Sequence, residues 1–346
     1  MAYRVIQWAT GNVGKQAIEG ILGHPELELA GCRVYSDAKG GRDVGEICGL
    51  APTGVVATSD EAEALSIDAD CVVYAPVLGN TGEIIRILES GKNIVTPVGW
   101  FHPGRAAGAA DVEAACRRAG VSLHGTGIHP GGITERFPLM ASAMCRDIRH
   151  VRAEEFSDIR NYDAEFVVRE VMLFGKPPAE AEHSSMVRIL GEGFCQSIDL
   201  VAQGLGLALD PEIRSEHEIA VATADIDSPV GVIEKGTVAA QRFTWHGCVE
   251  GVPRITARVN WFMGSDDLDR DWDLGEQRFE VALDADPPVS LTFHGLHPPV
   301  VGQDLDRLPG IIAPAMHCVN AIPYVVEAEP GIRTYLDLPL IAGRAC

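Results

Sequence analysis

Up to about residue 125, the apolar positions fall in short runs separated by stretches of helical spacing. Tyr3–Trp8 (YRVIQW) is a β run that ends at a glycine-rich turn, residues 15–22 have helical spacing, and 27–35 (LELAGCRVY) predict a second strand. Residues 69–75 (ADCVVYA) and 93–98 (NIVTPV) are continuous, apolar and β-branched, as strands buried on both faces are. Helices are expected over 82–90 and 106–119, and a further strand opens at 121–124. Strands alternating with helices of about ten to fifteen residues imply βαβ units and a parallel sheet.

Beyond residue 150 the period changes. Runs at 151–156, 231–245, 254–263, 277–283 and 289–294 read as strands in succession, joined by turns such as CVEGVP and DADPP. This is the pattern of an α+β domain with a mostly antiparallel sheet. A helix over about 185–207 interrupts it, and the acidic stretch 265–273 (SDDLDRDWD) reads as a solvated loop. Residues 310–327 have helical length and apolar content and are expected to return to the first domain.

The first strand runs into Ala9-Thr10-Gly11-Asn12-Val13-Gly14 and then a helix, which is G-x-G-x-x-G with Ala in the first place. Gly11 lets backbone approach a pyrophosphate, Gly14 lets the helix pack closely on the strand, and the helix N-terminus faces phosphate charge. In this strand–turn–helix context the motif predicts a dinucleotide site. The expected organisation is therefore an α/β Rossmann domain with a parallel sheet over 1–150, completed by about 305–346. An α+β domain over 151–304, with a mostly antiparallel sheet, is expected to follow it and to serve the substrate. The tip of the second strand, Val34-Tyr35-Ser36, carries no acid for a ribose 2′-OH, and Asp37 comes slightly late. Ser36, Lys39 and Arg42 in the turn that follows suit a 2′-phosphate, so NADP(H) is expected over NAD(H).

Composition narrows the function classes. The chain has 346 residues and a net charge of −21, from 49 acidic and 28 basic residues, which argues against nucleic-acid binding through a general positive field. No window approaches the apolar length of a membrane span, and MAYRVIQWATG does not read as a signal peptide, so the expected location is cytoplasmic. The nine cysteines form no C-x-x-C pair and no metal-ligand spacing, so no metal is expected and reduced thiols are.

QWATGNVG, ADCVVYAP, NIVTPVG, GTGIHPGG and the late HCVNAIPYVVEAEPG together resemble the dihydrodipicolinate reductase-like superfamily. The branch it is most similar to is that of 2,4-diaminopentanoate dehydrogenases and native amine dehydrogenases. The resemblance implies NAD(P)H on the first domain, hydride transfer to or from a C=N or C=O carbon, and a homodimer built through the second domain's sheet. Two departures from the superfamily stand out. The segment 154–162 lacks the paired His and the Lys of the lysine-pathway reductases. The amine dehydrogenases carry a Glu just after the fifth strand, where this chain reads Pro97-Val98-Gly99-Trp100-Phe101-His102.

The expected function is an NAD(P)H-dependent oxidoreductase for a small, fairly apolar carbonyl, imine or amine. An amine dehydrogenase proper and a catalytically silent NADP-binding regulatory protein are the alternatives. Ala75, Pro76, Val98 and Gly99 are expected beside the cofactor, with Thr10 to Gly14. His102 and His129 are the titratable groups on the loops expected at the nicotinamide, and either suits a general acid. Glu155 in the second domain is the carboxylate alternative, and Arg160 or Tyr162 would fix a substrate oxygen.

Overall fold

The computed structural model describes residues 2–298 and 307–345. The chain divides into two units, Met1–Gly131 with Ile311–Cys346, and Gly132–Gly310. The strands of the first unit are β1 (Tyr3–Trp8), β2 (Leu27–Arg33), β3 (Ala57–Thr58), β4 (Cys71–Tyr74), β5 (Asn93–Thr96), β6 (Ser122–Gly125) and, near the chain end, β13 (Gly331–Ile332). All pair in parallel, in the order β13-β6-β5-β4-β1-β2-β3. The order reverses between β1 and β4, the topological switch point where open α/β sheets bind ligands at their strand C-termini.

The helices of this unit are α1 (Asn12–Gly23), α2 (Val44–Cys48), α3 (Glu61–Ser66), α4 (Thr81–Glu89), α5 (Ala109–Ala119) and the late α9 (Pro309–Val326). They cover both faces of the sheet, which is why its strands are apolar without alternation. On β1, Val5 packs with Ile18 and Ile21 of α1 and with Cys318 and Ile322 of α9. Its neighbour Ile6 packs with Ile84 and Ile87 of α4 and Val112 of α5. Each of these isoleucines is fully buried, worth about 1.5–3 kcal/mol apiece. Against the expectation that no window approaches a membrane span, helix α9 is long and apolar enough to resemble one. Its Ala315, Cys318, Val319, Ala321, Ile322 and Val325 are fully buried, which makes it a core helix of the first unit.

The second unit is a six-stranded sheet of β7 (Arg146–Asp158), β8 (Arg214–Val221), β9 (Val238–Val249), β10 (Val252–Phe262), β11 (Arg278–Asp286) and β12 (Val289–Phe293), ordered β12-β11-β7-β10-β9-β8. Its helices are α6 (Arg136–Ser142), α7 (Pro178–Glu182) and α8 (Met186–Leu205). Phe194 of α8 stacks on Trp245 and Phe137 of α6 packs on Phe293, so both helices lie on one sheet face. The opposite face carries Arg152, Glu154, Arg258 and Asn260, which pair among themselves around the buried Glu154 carboxylate.

Three further expectations change. Residue 150, drawn as the domain boundary, lies inside β7, and the second unit begins at Gly132 because α6 already packs on its sheet. The boundary drawn near residue 304 lies outside the described residues. The strand expected over 231–245 begins only at Val238, and β8, whose RSEHEIAV sequence is charged in its exposed first half, was not anticipated. The sheet is mostly antiparallel, as expected, with one parallel pairing: β7 sits between β11 and β10 and runs parallel to β10.

Candidate active site

Strand β1 delivers the glycine turn to the C-terminal edge of the sheet. Ala9, in the motif's first glycine place, adopts φ +76, a conformation glycine takes without cost. A Cβ built on Gly14 would lie 2.3 Å from the Ala9 carbonyl oxygen, so only glycine lets α1 sit this close to the turn. A Cβ on Gly11 would meet nothing within 4 Å, which leaves room for a ligand against its backbone. The start of α1 has no acidic residue in its first turn, and its N-cap, Gly11, has no side chain to cap it, so the helix dipole there favours an anion.

Beside this turn lies a cavity of about 280 Å³ within the first unit. Val13, Ala75, Pro76 and Val98, all expected at the cofactor, line it together with His129, Pro97, Pro314 and the backbone from Gly127 to Pro130. The loop after β5 turns through Gly99 (φ +74) and then Trp100, which holds φ +64 although it is bulky and buried. Such a residue stores roughly 1–3 kcal/mol of strain, a cost tolerated where neighbours over-determine the backbone. Here the neighbour is Gly125 of β6, where a Cβ would strike the Gly99 oxygen at 2.3 Å.

The chain's return segment holds the other wall. His317 Nδ1 lies 2.6 Å from the Gly127 oxygen, and the Tyr335 hydroxyl donates to the Gly131 oxygen at 2.7 Å and sits 2.5 Å from Thr126 Oγ1. The two expected histidines differ in setting. His129 lines the cavity, whereas His102 Nδ1 accepts the Gly104 N–H and caps the short turn Pro103–Arg105. These residues fit a dinucleotide: an uncapped helix start, a glycine turn with free space at Gly11, and an apolar cavity beyond the switch point.

At the tip of β2 the expected phosphate group is only partly available. Lys39 Nζ donates to the Thr10 carbonyl and hydroxyl oxygens at 3.1 and 3.0 Å, so it braces the glycine turn. Arg42 faces Glu46 at 3.9 Å in an exposed pair, of a kind worth little. The Ser36 carbonyl closes the turn by accepting from Lys39 and Gly40.

A cluster that the sequence reading missed lies next to it. The buried Glu83 carboxylate of α4 accepts from the Tyr35 and Tyr74 hydroxyls, each at 2.7 Å. Burial and then the bond to Glu83 push the Tyr35 phenol up to about 12, so it stays a donor. Asn80 followed three residues later by Glu83 reads as a helix cap, and Asn80 does cap α4, but the Glu83 side chain turns to the tyrosines.

In the second unit, paired residues place Glu155, Ser157, Phe279 and Trp261 on the sheet face that carries α6 and α8. One Glu155 oxygen accepts from Ser157 Oγ at 2.6 Å and Trp261 Nε1 at 3.0 Å. Burial pushes its carboxyl above the usual range, against those two bonds. His297 Nε2 lies 2.9 Å from the same Ser157 hydroxyl, and burial lowers this imidazole to about 4, so it is neutral near pH 7. Arg160, expected at a substrate oxygen, is held by the Asp158 carboxylate, and Tyr162 packs against the cluster of Val168 and Phe174.

Residues 133–259 match the model of the 2,4-diaminopentanoate dehydrogenase C-terminal domain. The chain is 31% identical to a Streptomyces virginiae protein named amine dehydrogenase, over 97% of this chain and 96% of that one. It is 25% identical to a 2,4-diaminopentanoate dehydrogenase of Acetoanaerobium sticklandii, over 67% of this chain and 61% of that one. Among solved structures, an amine dehydrogenase from Mycobacterium smegmatis matches with a TM-score of 0.76 at 21% identity, covering 99% of this chain and 98% of that chain. A myo-inositol 2-dehydrogenase from Lactobacillus plantarum shares the fold more loosely, with a TM-score of 0.53 at 12% identity over 93% and 90% of the two chains.

Proposed function

Because the chain belongs to the amine dehydrogenase and 2,4-diaminopentanoate dehydrogenase family, we propose that it interconverts a small primary amine and the matching carbonyl compound with a nicotinamide dinucleotide. The observation that carries this reading is the cavity beside the glycine turn, whose ten lining residues are apolar or backbone-rich and include one titratable side chain, His129. A bound dinucleotide supplies the hydride acceptor in one direction and the donor in the other. The chain's own residues do the rest. Gly11 and the start of α1 bind phosphate charge, and Ala75, Pro76 and Val98 exclude water from the reacting carbon.

Deamination consumes one water and releases protons from nitrogen and oxygen, so it needs a base; the reverse reaction needs an acid. We assign this to the His129 imidazole, since the loop after β5 offers Gly99 and Trp100 in place of a carboxylate. His102, whose Nδ1 is engaged in capping, and Glu155, a carboxylate already poised by burial, are the remaining candidates. NADP(H) is the form we favour. Ser36 and Arg42 are its contacts, and Lys39 shares its charge between Thr10 and the phosphate. A cytoplasmic enzyme fits a chain whose Cys32, Cys71, Cys116 and Cys318 are buried free thiols. A homodimer through the charged sheet face around Glu154 is the assembly we favour, because its charges are already mutually paired.

The test is a screen of small aldehydes and ketones for NADPH and NADH oxidation, with and without ammonia. Ammonia-dependent oxidation of at least one carbonyl supports the reading. Oxidation indifferent to ammonia identifies a carbonyl reductase instead.

A further inference from the structure

The tip of β2 carries an aromatic side chain whose setting the fold alone does not require. Tyr35 is 52% exposed, yet its hydroxyl is fixed to the buried Glu83 carboxylate. The same carboxylate holds Tyr74, whose oxygen accepts the Asn80 N–H at the start of α4. The ring is therefore locked in place while much of it faces solvent. Behind it lies Arg33, 9% exposed, with its guanidinium carbon 5.2 Å from the Tyr35 ring centroid and 5.9 Å from that of Trp8. Arg33 Nε and Nη1 have no hydrogen-bond partner among the described residues, so the two rings lie against a buried cation whose charge is also felt by the Glu61 carboxylate. A cation on one face draws π density toward itself and leaves the outer face better matched to an electron-rich ring.

The position follows from topology. A dinucleotide crosses the sheet's C-terminal edge at the switch between β1 and β4, with its pyrophosphate at the glycine turn. The cavity by the β5 and β6 loops takes one half, so the other falls toward β2. The Ala9 N–H donates to the Arg33 oxygen at 2.8 Å, which ties the β2 tip directly to the glycine turn. Across from it, the turn between β4 and α4 exposes Val77 by 94% and Leu78 by 79%. That turn is anchored to the same Glu83 through Tyr74 and Asn80, so the two apolar side chains emerge on the same edge of the sheet as Tyr35.

We propose that Tyr35 is the platform on which the adenine base stacks, with the ring locked by Glu83 and backed by Arg33. This rests on the dinucleotide reading above and adds that adenine affinity is set by the ring, independently of any 2′-phosphate. The purified full chain is titrated calorimetrically with ADP, with 2′,5′-ADP and with both cofactors, as wild type, Tyr35→Ala and Tyr35→Phe. Base stacking on an aromatic ring implies that Tyr35→Ala weakens ADP and 2′,5′-ADP by the same factor, at least about tenfold. Tyr35→Phe keeps the ring and should stay within about threefold of wild type. ADP affinity unchanged in Tyr35→Ala overturns the platform, and so does a loss in Tyr35→Phe as large as in Tyr35→Ala. A loss confined to 2′,5′-ADP overturns it too, since Tyr35 would then serve the phosphate. A wild-type protein that binds neither cofactor overturns the dinucleotide reading itself, and the platform with it.

Discussion

Gly11→Ala adds a single methyl group to the turn between β1 and α1 and separates binding from folding. Gly11 has φ −72 and ψ −176, extended backbone that any residue adopts, and its Cβ would meet nothing within 4 Å. In the protein alone the change should cost under about 1 kcal/mol, the difference between Gly and Ala at a helix cap. With a dinucleotide bound at the proposed site, the same methyl would occupy the space through which a pyrophosphate oxygen would reach the backbone N–H groups. Forcing an extra methyl into a close-packed contact costs roughly 1–3 kcal/mol, which is about fivefold to more than a hundredfold in Kd. Calorimetric titration with NADPH and NADH, alongside a melting curve, reads both quantities. Gly14→Val is the counterpart. Its Cβ would fall 2.3 Å from the Ala9 oxygen, so α1 must retreat by about 1 Å to reach an ordinary contact, and both melting temperature and affinity should fall. Native cofactor affinity in Gly11→Ala would refute the placement of the pyrophosphate at this turn.

His129→Ala should lower turnover by about a hundredfold or more with cofactor affinity unchanged, the usual worth of a general acid–base group; near-native turnover would move the role to His102 or Glu155. Glu155→Gln tests the buried carboxyl through stability. A carboxyl raised by burial contributes most below the ordinary Glu range near pH 4, and that contribution is lost as pH rises through its raised value. The variant should therefore melt above wild type at neutral pH, with the difference vanishing in acid. A Glu155→Gln protein that melts below wild type at neutral pH contradicts the burial effect.

Local patterns carried much of this architecture. The unbroken apolar runs at 69–75 and 93–98 report strands covered on both faces, and the structure buries every residue of β4 and β5. The glycine motif was legible with Ala9 in its first place, because a strand before it and a helix after it leave little else for the turn to be. Long-range chemistry was not legible. Tyr35 and Glu83 are 48 residues apart, and nothing near either one announces the other. Lys39 reads as a phosphate ligand from its neighbours, while its contact with Thr10, 29 residues upstream, is one that no local pattern shows. The parallel pairing of β7 with β10 joins strands that β8 and β9 separate in sequence, a choice made by the whole sheet. The exposed charges of β8 obscured its strand period, since an edge strand is free to carry them.

The central claim is that nitrogen moves together with hydride. The direct measurement supplies isotopically labelled ammonia, NADPH and a carbonyl found active in the screen, and compares label in the amine product with cofactor oxidised. One labelled nitrogen incorporated per NADPH consumed is the predicted result. Cofactor oxidised with an alcohol as product and no label in any amine would contradict it.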